Sequence, residues 1–272
     1  MRIYISADIE GVSGVVHGEH TLRDGKEHDY ARKLMTEEVN ACIEGALEAG
    51  ADEIVVNDSH GTMRNILPDQ LHSRARLLMG SPKKLAMVEG LTSEYDAVLF
   101  VGYHTRAGSN GILNHTFSGR VIKTIRVNSI DMGEFGLNAL VAGYYKVPTV
   151  FVSGCNLLAD EARAVIPEIE SAIVKESISR TAALNLSPAE SRLLIRQGTK
   201  RSLKDVRSKT PFRMEGPFTV EIEFLNTGYA DAAEIVPIYE RSNPLTVRFT
   251  NQDWLHCYRL IRGAIMIANS VQ

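Results

Sequence analysis

Short apolar runs recur along the chain at intervals that predict a series of buried strands. They cover residues 2–7, 53–57, 95–102 and 148–153, and each is bounded by polar residues, glycine or proline. Runs that are apolar at nearly every position are typical of strands buried on both faces, as in parallel sheets. The sequence therefore predicts at least four core strands of this kind.

Segments between these runs carry an apolar side chain at every third or fourth position, the period of a helix. The clearest covers residues 30–49, where Asp29 could act as the N-cap and Gly50 ends the helix. Further helices are predicted over residues 134–145 and 188–207. The alternation of strands and helices favours an α/β fold, layered, with a mainly parallel sheet flanked by helices.

The pattern changes after residue 210. Residues 218–224 alternate strictly between apolar and polar, which is typical of a strand with one face in water, and a last helix is predicted over residues 252–268. A shorter alternating stretch at residues 120–131 resembles a hairpin. We therefore predict a larger α/β domain over residues 1–212 and a smaller C-terminal strand–helix subdomain over residues 213–272, with a soft boundary.

Composition and charge narrow the class of protein. The formal net charge of −3 argues against a nucleic-acid partner, because no basic excess is present to meet phosphates. No apolar run approaches the ~20 residues of a membrane span, and we expect no signal peptide. Cys42, Cys155 and Cys257 are odd in number and widely spaced, so they predict neither a disulfide framework nor a zinc ribbon. The expected location is the reducing cytoplasm.

Polar side chains suited to metal binding follow three of the predicted strands. Asp8 and Glu10 come after the first strand, His60 after the second and His104 after the third. Side chains two apart on an extended backbone point to the same side, and open parallel sheets bind ligands beyond the carboxyl ends of their strands. Each residue alone could be an ordinary solvated acid or surface histidine. Together they predict a metal site at one edge of the sheet.

Glu134 decides how many ions such a site would hold. Two carboxylates and two imidazoles could close the coordination of one structural zinc. Glu134 opens a predicted helix, where the helix dipole alone would favour an acid. If it joins the site, five ligands suit two divalent ions with one bridging carboxylate, and a metal-held hydroxide becomes a hydrolytic nucleophile. The pattern predicts a two-metal hydrolase.

Several motifs resemble the bacterial D-aminopeptidase family of zinc metallopeptidases. The resemblance is carried by residues 6–11 (SADIEG), 57–61 (NDSHG), 102–104 (GYH), 114–115 (NH) and 133–143. It runs from residue 1 to about residue 177 and continues more weakly toward the C-terminus. It implies removal of an N-terminal D-amino acid, typically D-alanine, from short peptides. It also implies a homodecamer and two zinc ions per subunit, with Asp8 bridging, held by Asp8, Glu10, His60, His104 and Glu134.

The resemblance gives His115 a catalytic role, as nucleophile or as proton shuttle. His115 lies in the glycine-flanked stretch 111–116, which could position an imidazole beside the metals or could be an exposed loop. From its chemistry the shuttle is favoured, because an imidazole titrates near neutral pH and the leaving amine needs a proton.

One departure from the family pattern concerns the substrate. Gly154-Cys155-Asn156 stands where the family has acidic residues after the glycine, so a group that could pair with a peptide amine is missing. Cys155 could be a nucleophile with His115 as its base, or a small packed residue behind the site. Arg106 could anchor a substrate carboxylate or neutralise surplus acid. A peptidase for L- or γ-linked dipeptides, an enzyme for another small amide or a phosphoester, and a protein with purely structural ions stay open as alternatives.

Overall fold

A computed structural model describes residues 1–271 of the chain. The strands, in chain order, are β1 (Arg2–Ala7), β2 (Glu53–Asp58), β3 (Ala75–Leu78), β4 (Ala97–Val101), β5 (Ile122–Val127), β6 (Ile130–Asp131), β7 (Thr149–Cys155), β8 (Glu170–Ser179), β9 (Ala182–Asn185), β10 (Phe218–Phe224), β11 (Glu240–Asn243) and β12 (Thr246–Asn251). The helices are α1 (Gly18–Thr21), α2 (His28–Glu48), α3 (Glu134–Tyr144), α4 (Asn156–Val165), α5 (Pro188–Ser202), α6 (Thr227–Glu234) and α7 (Trp254–Asn269).

The larger sheet confirms the predicted α/β class. Its strand order is β3-β2-β1-β4-β7-β8-β9, parallel throughout except for the final β8–β9 hairpin. The chain moves outward from β1 to β3 and then returns to place β4 on the other side of β1. Ligands of open α/β sheets bind at such a reversal of strand order. The carboxyl ends of β2, β1 and β4 are therefore adjacent.

The smaller sheet is antiparallel, with the order β11-β12-β10-β5-β6. Strand β10 buries alternate residues, as its sequence predicted, and its inner face lies in the apolar core. This sheet joins β5 and β6, from the first half of the chain, to the C-terminal strands. The domain boundary near residue 213 stays a prediction.

Two predicted helix ends differ from the structure. Helix α2 begins at His28, two residues earlier than predicted, so Asp29 lies in the first turn instead of capping it. Helix α5 ends at Ser202, and Asp205, whose backbone is left-handed (φ 54°), prevents a regular helix from continuing to residue 207. No helix within residues 1–271 combines the length and apolar character needed to cross a membrane.

Two backbone segments, one after β1 and one after β4, lie in close contact where the strand order of the larger sheet reverses. The amide N of Gly11 donates to the carbonyl of Gly102 over 2.7 Å. A Cβ at Gly11 would collide with the carbonyl of Tyr103, and one at Gly102, whose φ is +71°, would collide with the carbonyl of Asp8. Glycine at both positions therefore lets the segment after β1 cross directly over the end of β4.

Candidate active site

Five side chains meet where the carboxyl ends of β1, β2 and β4 lie side by side. Asp8 and Glu10 follow β1, His60 follows β2, His104 follows β4, and Glu134 opens α3 above them. All are buried except His60, which is half-buried. The structure thus brings together the whole set of predicted metal ligands.

One half of the cluster is formed by Asp8, Glu10 and His60. The Nδ1 atom of His60 lies 3.1 Å from Asp8 Oδ1 and 3.0 Å from Glu10 Oε2. The Oδ1 atom of Asp8 also accepts a hydrogen bond from the amide of Ile9, which holds the carboxylate in this orientation.

The other half is formed by Asp8, His104 and Glu134. The Nε2 atom of His104 lies 3.4 Å from Asp8 Oδ2 and 3.5 Å from Glu134 Oε1. Asp8 therefore turns one oxygen toward each half of the cluster, which is the geometry expected of a bridging carboxylate. Ligand atoms of Asp8, Glu10 and His104 lie within 4.8 Å of one another, and so do those of His104, His115 and Glu134.

Backbone carbonyls orient all three imidazoles. His60 Nε2 bonds to the carbonyl of Thr21 at 2.9 Å, His104 Nδ1 to that of Thr105 at 2.9 Å, and His115 Nδ1 to that of Leu113 at 2.9 Å. Because a carbonyl can only accept, each of these nitrogens must carry the proton. The opposite nitrogen of each ring then faces the cluster, where a metal ion could take the place of a proton, an arrangement common among metal-binding histidines.

The electrostatics of the cluster favour a cation. Burial lowers the pKa of His104, but the carboxylates of Glu134 and Asp8 outweigh burial and hold that pKa well above its usual value. The pKa of His60 is raised in the same way, with burial opposed by Glu10 and Asp8. Conversely, burial would raise the pKa of Asp8, yet the two imidazoles hold it well below its usual value. Three carboxylates thus create a strongly negative field within a buried pocket.

Two buried atoms indicate what this field is suited to bind. His104 Nε2 and Glu10 Oε2 are enclosed, and neither has a hydrogen-bond partner among the described residues; their nearest neighbours are at ion-pair distance but poorly aligned. Buried polar atoms are normally satisfied, so such exceptions require a reason. A donor set of imidazole nitrogens and carboxylate oxygens fits zinc in number and in kind.

His115 lies directly beside this cluster. Its ring stacks on that of His104, with the centroids 4.2 Å apart and the planes 9° from parallel. Its Nε2 atom lies 3.7 Å from Glu134 Oε1, and its side chain is one-fifth exposed. His115 therefore stands between the buried carboxylates and the solvent of the outer cleft.

Lys175 braces the segment that carries Glu10. Its buried ammonium donates to the carbonyls of Glu10, Val12 and Val15 over 2.6, 2.8 and 2.6 Å. Burial lowers the pKa of Lys175 to about 8, with Glu38 partly opposing that shift. Three converging carbonyls require a donor with three protons, so the lysine fixes the backbone on which Glu10 stands. The sequence pattern did not indicate this role, because Lys175 lies on strand β8, which was not predicted.

Two cavities open onto the cluster. The inner cavity, of about 100 Å³, is lined by Asp8, His60, Met87, His115, Glu134 and Arg262, among others. The outer cleft, of about 890 Å³, includes Glu10, His17, His60, His115, Arg120 and Arg180 in its walls. The cavities share His60, Gly61, His115 and Phe117. A molecule bound in the outer cleft would therefore be in direct contact with the candidate metal-binding residues.

Arg262 is a site residue that the sequence did not reveal. It comes from α7, near the C-terminus, and its guanidinium lies over the ring of Phe117, 5.1 Å from the centroid. An arginine on an amphipathic helix is usually a solvent-exposed side chain, and no motif links it to residues 8–134. Only the packing of α7 against the first half of the chain places it beside His115.

Two other candidate residues lie away from both cavities. Cys155 is 1% exposed and lines neither cavity, and it stands at the N-cap of α4 as a small packed residue. Arg106 lies 3.3 Å from Asp131 and lines neither cavity.

Comparison with known proteins identifies relatives along nearly the whole chain. The family model Peptidase_M55, described as D-aminopeptidase, matches residues 1–263. A D-aminopeptidase of Bacillus subtilis (strain 168) is 38% identical over 260 residues, which cover 95% of this chain and 94% of the relative. A solved structure also matches, that of the Zn-dependent D-aminopeptidase DppA from Bacillus subtilis, which is described as a self-compartmentalizing protease. The TM-score is 0.96 at 36% sequence identity, and the match covers 99% of this chain and 98% of DppA.

Proposed function

We propose, since this chain belongs to the Peptidase_M55 family of D-aminopeptidases, that it uses zinc to remove an N-terminal D-amino acid such as D-alanine from short peptides. The observation that carries the proposal is the convergence of Asp8, Glu10, His60, His104 and Glu134, whose ligand atoms face one buried pocket.

Two zinc positions follow from the two halves of the cluster. Asp8, Glu10 and His60 would hold one ion, and Asp8, His104 and Glu134 the other, with Asp8 bridging. Bound zinc supplies Lewis acidity, which polarises a carbonyl and makes water a stronger nucleophile. The protein contributes the geometry, since Thr21 and Thr105 fix the rings of His60 and His104 through their carbonyls.

His115 is proposed as the proton shuttle. Its Nδ1 proton is held by the Leu113 carbonyl, so Nε2 is free to accept a proton on the side facing the cluster. The departing amine must gain a proton when the peptide bond breaks, and the imidazole can deliver it there. Direct attack by His115 on the peptide is the alternative, and it would leave an acyl-imidazole that rapid-quench mass spectrometry could detect.

The cavities suggest how a peptide would lie. The inner cavity is far below the ~300 Å³ of typical ligand pockets, so it suits a small N-terminal residue. The outer cleft has room for the remainder of a short peptide.

The test compares matched D-Ala and L-Ala p-nitroanilides and dipeptides with metal-stripped protein, before and after zinc is restored. The proposal predicts zinc-restored cleavage of the D-series alone. Zinc-restored cleavage of the L-series would retain the metal chemistry and change the substrate. Two tightly bound zinc ions without any cleavage would contradict the proposed function.

Assembly is the second part of the proposal. DppA is described as self-compartmentalizing, and the resemblance implies a homodecamer, so we expect this chain to form a homodecamer with its active sites facing an internal space. Native mass spectrometry would show ten chains per particle, and a monomer at micromolar concentration would contradict it. A cytoplasmic location likewise stays a prediction.

A further inference from the structure

The walls of the outer cleft are basic, whereas the cluster of five candidate metal ligands is acidic. Among the described residues that line it are three arginines, Arg23, Arg120 and Arg180, whereas its one carboxylate is Glu10, already assigned to the cluster. A concave wall of one charge sign concentrates ligands of the other sign. The cleft is therefore suited to an anionic group on whatever reaches the active site.

Arg120 and Arg180 are the arginines available to bind it. Within residues 1–271, neither guanidinium lies within 4.0 Å of a carboxylate, and neither donates a side-chain hydrogen bond. Arg23 differs, because its Nη1 donates to the carbonyl of Arg64 over 3.3 Å. Both unpaired arginines are exposed to the solvent of the cleft.

Their backbones are held at the segment that carries His115. The carbonyl of Arg180, at the turn between β8 and β9, accepts a hydrogen bond from the amide of Leu113 over 2.8 Å. Gly119 packs so closely on His115 that a Cβ there would lie 3.3 Å from the His115 Cβ, and Arg120 follows directly. The backbones of both arginines are thus held next to the segment that carries the proposed proton shuttle, from which their long side chains reach into the cleft.

We propose that Arg120 and Arg180 bind the C-terminal carboxylate of the leaving peptide, and that the enzyme therefore selects short peptides with a free C-terminus. This inference rests on the proposed function. A short peptide carries a positive amine at one end and a negative carboxylate at the other. The inner cavity takes the N-terminal residue and the basic wall attracts the carboxylate, which places the scissile peptide bond between them. Guanidinium groups suit a carboxylate because they can bind it through paired hydrogen bonds.

The test compares D-Ala-Gly-Gly with its C-terminal amide, using the zinc-loaded protein. We expect kcat/KM to be about tenfold or more higher for the free acid, the advantage of a charge-assisted hydrogen bond. In the double variant Arg120→Gln/Arg180→Gln the acid-to-amide ratio should fall toward one, mainly through a higher KM for the acid. The matched control Arg207→Gln, at an exposed arginine outside both cavities, should keep the ratio of the wild type.

Equal kcat/KM for acid and amide in the wild type would overturn the inference, and so would a double variant that keeps the wild-type ratio. D-Ala p-nitroanilide, which has no carboxylate, separates this failure from that of the proposed function. If it is cleaved while acid and amide remain equal, only the carboxylate site is wrong. If no D-amino substrate is cleaved, the proposed function fails as well.

Discussion

The inner cluster and the outer cleft wall differ in charge, in burial and in origin along the chain. The cluster is acidic and enclosed, and most of it comes from the ends of three adjacent core strands. The wall is basic and exposed, and its arginines come from turns and loops. Rigid strand ends can position metal ligands with the precise geometry that metal coordination requires. The end of a peptide can instead be bound by longer and more flexible side chains. The proposed reaction takes place where the two regions meet, at His115.

The largest effect should come from removing the residue shared by both halves of the cluster. Asp8→Asn keeps the shape of the side chain but removes the charge that faces His60 and His104. We expect weakened binding of both zinc ions and a fall in kcat/KM of about a thousandfold or more, because several kcal/mol of Lewis-acid stabilisation are lost. Zinc content by mass spectrometry, measured alongside kcat/KM, checks this. Full zinc content with wild-type turnover would show that Asp8 is no bridge.

A somewhat smaller effect is expected at the junction of the two regions. His115→Ala should lower kcat by about a hundredfold to ten-thousandfold, the range of general acid–base catalysis, while zinc content is unchanged. His256→Ala, at an exposed histidine on α7, is the matched control and should leave kcat and zinc content at wild-type values. Unchanged turnover in His115→Ala would remove His115 from the mechanism.

Replacing Lys175, which holds the backbone at Glu10, should have a smaller effect than replacing Asp8 or His115. Lys175→Met removes the ammonium that joins the carbonyls of Glu10, Val12 and Val15. We expect zinc affinity to weaken about tenfold to a hundredfold, which is typical when outer partners of metal ligands are lost. Competition with a fluorescent zinc chelator measures it, and Lys204→Met, at an exposed lysine, is the control. Wild-type zinc affinity in Lys175→Met would show that the segment holds its shape without the lysine.

The smallest expected effect is a change with pH in the free energy of unfolding of the metal-stripped protein. The pKa values of His60 and His104 are raised by facing carboxylates, so these imidazolium–carboxylate contacts stabilise the folded state fully below the unfolded value of ~6.5. As pH rises from 6.5 through the folded pKa values the stabilisation is lost, because the folded state binds more protons than the unfolded state in that range.

We therefore expect the free energy of unfolding of stripped protein to fall as pH rises from 6.5 to 8.5. The zinc-loaded protein, whose imidazoles carry no such protons, should show no such fall. Urea denaturation of both forms checks this. Buried Glu38 and Lys175, with pKa values of about 7 and about 8, titrate in both forms and cancel in the difference. Parallel pH profiles would contradict the account of the cluster's charge.

The two regions also differ in how far the sequence predicted them. Asp8, Glu10, His60 and His104 each follow a strongly apolar strand, so strand periodicity and the rule for sheet edges were enough to bring them together. Glu134 needed the family resemblance, because an acid in the first turn of a helix is common. Arg180 and Lys175 lie on the β8–β9 hairpin, which the sequence did not predict, and Arg262 reaches the site through tertiary packing. Residues that act through long-range packing leave no local pattern.

Anomalous X-ray diffraction at the zinc edge, from crystals of zinc-loaded protein, would locate the bound ions. We expect two peaks per chain, one between Asp8, Glu10 and His60 and one between Asp8, His104 and Glu134. A single peak, or peaks outside these five side chains, would contradict this expectation.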